Sequence, residues 1–318
     1  MRYSLSSRFR GTLLGAVLGD MLGKSTAIIE HRADSQWNSL AVVGAQSLIR
    51  LGRFDVEDWR FGFSKESILR QEGVSSLAHA MHLISTKAVI ATLPIALFYH
   101  ENEINLRQNV QQLVTLWQDD SVGAIMKASL LDGALALGYA IAQALTEKLN
   151  AGTLIGQTIA FLGEPHTQVA QHLAQVQTLL EQGAALERAV SELVRDAWPS
   201  TPIALAFYCF LSTLEDLRLS VLRAVKTGYQ PQITSAITGA LSGAYNSTAG
   251  IPSTWRLAGS RRPNAKNLAT WGITTEAQML ELSDSLVAVW SGMYDQAKYS
   301  AELTPIVAIA APRVIRLR

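Results

Sequence analysis

The stretch Gly228-Tyr229-Gln230-Pro231-Gln232-Ile233-Thr234-Ser235-Ala236-Ile237-Thr238-Gly239-Ala240-Leu241-Ser242-Gly243-Ala244-Tyr245-Asn246-Ser247-Thr248-Ala249-Gly250-Ile251-Pro252-Ser253-Thr254-Trp255 decides the fold. It opens on a glycine-led turn, and Pro231 fits the first turn of a helix. Ser235, Gly239, Gly243 and Ser247 fall four residues apart, so they line one narrow ridge of that helix. Glycine inside a helix costs about 0.5–1 kcal/mol against alanine, and close approach of another backbone is the gain that offsets it. Gly250 is expected to end the helix, and Ile251-Pro252 to start the next segment.

A partner for this ridge stands at the other end of the chain. Gly11, Gly15, Gly19 and Gly23 share the spacing of four, with Leu14, Val17, Leu18, Met21 and Leu22 between them. Two matched ridges of small residues predict two helices packed at unusually short distance.

The same residues carry a resemblance. Arg10-Gly11 through Gly15, Gly19-Asp20 and Gly23 resemble the opening helix of the ADP-ribosylglycohydrolase family. The 228–255 stretch resembles that family's last metal-binding helix, followed by its Gly-Ile-Pro-x-x-Trp signature at Gly250-Ile251-Pro252-Ser253-Thr254-Trp255. The likeness runs from residue 8 to about 258, anchored at both ends and weaker in the middle. It implies an all-α fold, a compact orthogonal bundle of many helices, with a central cleft that holds two magnesium or manganese ions. Residues 1–318 are expected to form one domain, with an extended tail at about 305–318.

The family's metal ligands are replaced in this chain. Where the family reads Gly-Gly-Asp-Thr-Asp-Thr, this chain has Gly228 to Ile233, and the two aspartate positions are Gln230 and Gln232. The family's Thr-Asp-Asp-Thr falls on Ser35, Gln36, Trp37 and Asn38, so both of those aspartates are gone as well. A family arginine before Pro94 is Ala91. Magnesium takes charged oxygen ligands in near-octahedral geometry, and a glutamine amide offers one neutral carbonyl. Four lost carboxylates remove the electrostatic reason for two divalent ions to bind. The expectation is a protein without metal cofactor, retained as a binding or regulatory protein, in which Asp20 serves as an anchor for nearby backbone. The alternative is an active hydrolase of ADP-ribosyl or related glycosidic bonds that uses Glu30, Asp34 or Asp20 as substitute carboxylates.

Composition bounds the remaining choices. The chain has 318 residues, 48% of them hydrophobic and only 17% charged, which suits a helical protein with much buried surface. A net charge of +1 argues against nucleic acid. The expected partner is a protein, with a nucleotide or ADP-ribosyl ligand as the second candidate. Cys209 is alone within Ala204–Leu211 and is read as a buried core thiol; with no internal disulfide possible, a reducing cytoplasm is expected. No sequence run is expected to span a membrane; the longest apolar candidates, Ala88–Tyr99 and Ile203–Leu211, are of core length.

The rest of the chain reads as helix after helix. Residues 36–51 are closed by Gly52; Asp55 caps a helix through Trp59 and Phe63; Pro94 interrupts an apolar helix over 88–100. Residues 104–118 and 124–148 are read as amphipathic helices, 168–190 as helical, and 276–291 as the last helix. Arg256, Arg261, Arg262 and Lys266 form a basic loop that offers candidate anion contacts. His79 and His82 share a helix face but lack the further ligands a zinc site needs.

Overall fold

The computed structural model describes residues 3–26, 39–65, 89–116, 124–163, 168–195, 198–259 and 270–293. Among the described residues the structure is all helical. In chain order the helices are α1 (Leu5–Thr26), α2 (Ser39–Leu51), α3 (Val56–Lys65), α4 (Leu93–Phe98), α5 (Glu103–Thr115), α6 (Ala124–Leu145) and α7 (Leu154–Leu162). They continue as α8 (Gln168–Glu181), α9 (Leu186–Val194), α10 (Thr201–Leu211), α11 (Leu217–Lys226), α12 (Pro231–Asn246), α13 (Ser253–Gly259) and α14 (Glu276–Trp290).

The two small-residue ridges meet. A Cβ built on Gly11, Gly15, Gly19 or Gly23 would stand closer than 3.0 Å to backbone atoms of Gly243, Gly239, Ser235 or Pro231 respectively. As one number rises the other falls, so α1 and α12 run antiparallel, backbone against backbone, along four successive turns. The reverse test agrees, since Cβ atoms on Gly239 and Gly243 would strike the backbone of Gly15 and Gly11. Glycine is required at these points because there is no room for a side chain of any size. The hydroxyl of Ser235 uses the closeness directly, donating to the carbonyl of Gly19 at 2.6 Å. This pair forms the axis of the bundle, with α11 and α14 also packed on it.

Helix ends follow local chemistry. Gly52 takes φ +66° to end α2, and Asp55 Oδ1 accepts from the backbone N–H groups of Glu57 and Asp58 at 3.1 Å to start α3. Asn102 and Asp216 cap α5 and α11 through bonds to Asn105 N at 2.9 Å and Leu219 N at 2.8 Å. Thr275 and Gln278 form a reciprocal capping box on α14. At its own end of the chain, α12 begins on Pro231 as the first helical residue.

Two expectations are corrected. Gly250 does not end α12: the helix stops at Asn246, Ser247 takes φ +59°, and Gly250 closes a short 3-10 turn from Thr248. Residues 168–190 are helical as expected, in two helices separated by a turn at Gly183, φ +59°. Residues 124–148 are not an amphipathic surface helix. The stretch Lys127–Leu145 is 89% buried and, with mean hydropathy 1.4 over 19 residues, is long and apolar enough to cross a membrane by length and composition alone. Its many alanines and Gly133 and Gly138 let neighbours close round it, so it is the core helix of this bundle. The apolar segment before Tyr99 breaks at Thr92, two residues ahead of Pro94, which sits in the first turn of α4 where its missing N–H costs nothing. The helix expected near Leu77–Leu83, His79, His82 and the tail at 305–318 lie outside the described residues.

Cys209 is fully buried on α10. Burial pushes its thiol up to about 12, with the nearby Arg223 charge pulling the other way.

The packing has consequences that stability measurements can read. Gly239→Ala should destabilise the protein by about 3 kcal/mol or more in urea unfolding, because a backbone must move to admit the methyl group. Gly156→Ala, on an exposed helical site with nothing within 4 Å, should instead stabilise by about 0.5–1 kcal/mol. The buried thiol adds a dependence on pH. A raised thiol pKa contributes stability that is full below the unfolded value of about 9 and is lost as pH climbs towards about 12. Cys209 should therefore resist thiol reagents in the native state at pH 8, and Cys209→Ala should flatten the loss of stability between pH 9 and 12.

Candidate functional site

The axis positions the site. With Gly19 against Ser235 and Gly23 against Pro231, the side chain of Asp20 on α1 meets the first turn of α12. Asp20 is 2% exposed. Its Oδ1 accepts from Gln232 Nε2 at 2.7 Å, and its Oδ2 from Trp271 Nε1 at 3.0 Å. A buried carboxylate is costly unless its oxygens are bonded, and here each oxygen takes an N–H from a neutral group. The sequence reads Asp20 as an anchor for nearby backbone; these two bonds reach side chains on distant segments.

The polarity of this junction is fixed by chemistry. An ionised carboxylate has only acceptors, so the amide that faces it turns its NH2 and not its carbonyl. Gln232 thus presents a donor at a position where a metal ligand would present an oxygen. Trp271, fully buried, supplies the second donor from the turn ahead of α14, where Gly272 at φ +69° reverses the chain.

The approach to α12 is strained. Gly228 and Gln230 both lie in the left-handed region, at φ +68° and +39°. For glutamine this costs about 1–2 kcal/mol. The Gln230 carbonyl is placed by it to accept from Ile233 N and Thr234 N, each at 3.0 Å, which starts the helix. The side-chain Oε1 of Gln230 is closed off from solvent and has no hydrogen-bond partner among the described residues. Burial pushes the neighbouring Tyr229 phenol upward in pKa, and a hydrogen bond with Gln230 pulls it partly back.

A pair of divalent ions does not fit the described half of this site. Among the described residues no three His, Cys, Asp or Glu side chains come together as a ligand group. The one carboxylate, Asp20, has both oxygens engaged by N–H donors, and the two glutamines bring no charge. Glu30, Asp34, Gln36 and Trp37 lie outside the described residues, as do Arg261, Arg262 and Lys266. Arg256 is placed, and its Nε donates to Glu276 Oε1 at 2.7 Å, so its charge already faces an acid.

Sequence reasoning missed two members of this constellation. Trp271 gives no signal in sequence beyond a tryptophan before a glycine, and its reach to Asp20 spans most of the chain. Ser235 was legible as a small ridge residue, but its hydroxyl bond to Gly19 depends on helix spacing that only the packed pair defines.

Comparison with known proteins agrees with this architecture. The family model described as ADP-ribosylglycohydrolase matches residues 1–288, covering both halves of the axis and the Asp20 junction. A search of curated proteins finds no match. Since the family match extends over far more than half of the chain, this protein belongs to the ADP-ribosylglycohydrolase family.

Proposed function

We propose that this chain is a catalytically silent ADP-ribosylglycohydrolase-type protein that works by binding, with a protein as its principal partner. The observation that supports this reading is the Asp20 junction. Its carboxylate faces the amide of Gln232 and the indole of Trp271, two neutral donors, at the end of the helix pair where the family resemblance sets charged metal ligands. Gln230 adds an uncharged amide at the second such position. A hydrolase of this type needs a cation to polarise the ribose and activate water, and neutral amides neither attract nor hold one. Substitute carboxylates, Glu30 and Asp34, are the basis of the contrary reading, in which the chain hydrolyses an ADP-ribosyl or related bond.

The deciding experiment measures release of ADP-ribose from ADP-ribosylated arginine and serine peptides, with magnesium or manganese present. The expected result is no release above the enzyme-free rate; turnover abolished by Glu30→Gln or Asp34→Asn would establish the contrary reading. Thermal melting provides a second measure. A ligand at 100 times its Kd raises stability by about 2.7 kcal/mol. No shift is expected with either metal, and a saturable metal-dependent rise would defeat the proposal.

Asp20→Asn gives an independent check on the junction. The substituted amide can accept at only one atom, so one of the two donors loses its acceptor. Unfolding in urea should show a loss of about 2 kcal/mol or more, with no dependence on added metal.

A further inference from the structure

A second concavity lies away from the Asp20 junction. It is a cavity of about 490 Å³ between the end of α8, the turn after it, the end of α10 and the face of α11, with the loop before α7 as its floor. None of its lining residues belongs to α1 or to 228–255. Its size falls in the range of small-molecule sites.

Arg223 of α11 lines this cavity. Its Nη2 donates to the Tyr208 hydroxyl at 3.2 Å, and its guanidinium carbon sits 5.6 Å from the centre of the Tyr208 ring. The Tyr208 hydroxyl spends its own proton on the carbonyl of Ala184. Arg223 is therefore oriented by a neutral group, and its charge is not compensated there. Among the described residues no carboxylate pairs with it, unlike Arg8, Arg10, Arg50, Arg188 and Arg256. Its Nε is closed off from solvent, so a ligand meets this guanidinium at its terminal nitrogens. A half-buried guanidinium with N–H capacity unspent favours an incoming anion.

The walls restrict what that anion is. Ile155, Leu180 and Leu211 give the cavity an apolar lining. Glu181 also lines it, exposed, with its Oε1 taken by Gln177 Nε2 at 2.9 Å. Glu187 lies near enough to act on the Tyr208 phenol. One cation with two carboxylates nearby does not suit a phosphate or another multiply charged group. It suits a single negative charge on an otherwise apolar molecule.

We infer that this cavity binds a small aliphatic monocarboxylate, with the carboxylate on Arg223 and the hydrocarbon against Ile155, Leu180 and Leu211. The assignment is independent of whether the Asp20 junction is catalytic. Isothermal titration of the full chain tests it, with hexanoate as the probe and hexanamide, hexylamine and inorganic phosphate as comparisons. Hexanoate should bind saturably, and hexanamide, hexylamine and phosphate at least about tenfold more weakly, about 1.4 kcal/mol. Arg223→Met should weaken hexanoate by at least about tenfold, and Arg223→Lys by less. Leu211→Trp, which fills the cavity without touching the charge, should also abolish binding and serves if Arg223→Met does not fold. Absence of hexanoate binding, equal binding of hexanamide or phosphate, or undiminished binding by both Arg223→Met and Leu211→Trp would each overturn the assignment.

Discussion

Direct backbone contact between the first helix and α12 is the constraint on which this molecule rests. Glycines at three positions of α1 face glycine or serine on α12, and a side chain at either surface would force the pair apart. Each of those glycines weakens its own helix in isolation. The helices recover that loss only by packing on each other, where peptide planes reach van der Waals distance and Ser235 bonds across the seam. Leucines and Val17 between the glycines then point to either side, where neighbouring helices, α11 and α14 among them, bury them.

The same contact sets the chemistry at its upper end. A seam built on glycines has little freedom to slide, because each glycine has one place where the opposing backbone fits it. Register along the seam therefore decides that Asp20 meets Gln232 rather than a neighbour. What is held there, among the described residues, is an acid that accepts from an amide and an indole. Arg223 is the opposite case. It is positioned with equal care by Tyr208 and Ala184, yet among the described residues no carboxylate forms an ion pair with it. The buried acid and this cation occupy different faces of one bundle, and they do not have the same relation to a ligand.

Much of this was legible in the order of residues. Glycines repeating at a helical interval in two distant segments announce a close helix pair by themselves, since nothing else explains the cost of placing them there. The cap at Asp55 and the stop at Gly52 are local and equally visible. Other features depend on packing. The helix around Gly138 reads as amphipathic because it has scattered polar residues, but Asp132 and Gln143 are buried with the rest. Trp271 reaches Asp20 only because a turn before α14 brings it there. The end of α12 is four residues earlier than Gly250 suggests, since Ser247 lies against Gly11 and must take a backbone shape that a free helix terminus would give to glycine. The metal-position glutamines are plain in sequence; that one of them donates to an acid is a matter of geometry.

The seam also orders events during synthesis. Gly11 and its partner Gly243 stand more than two hundred positions apart, so α1 cannot find its match until α12 has been synthesised. Until then its leucines have no cover and its glycines favour unwinding. Closing so long a loop is slow, and the central fit is completed only after α12 has emerged. A nascent chain of this protein thus carries α1 with its apolar surface uncovered while the intervening helices are made, which makes it a natural client for whatever shields such segments on the ribosome.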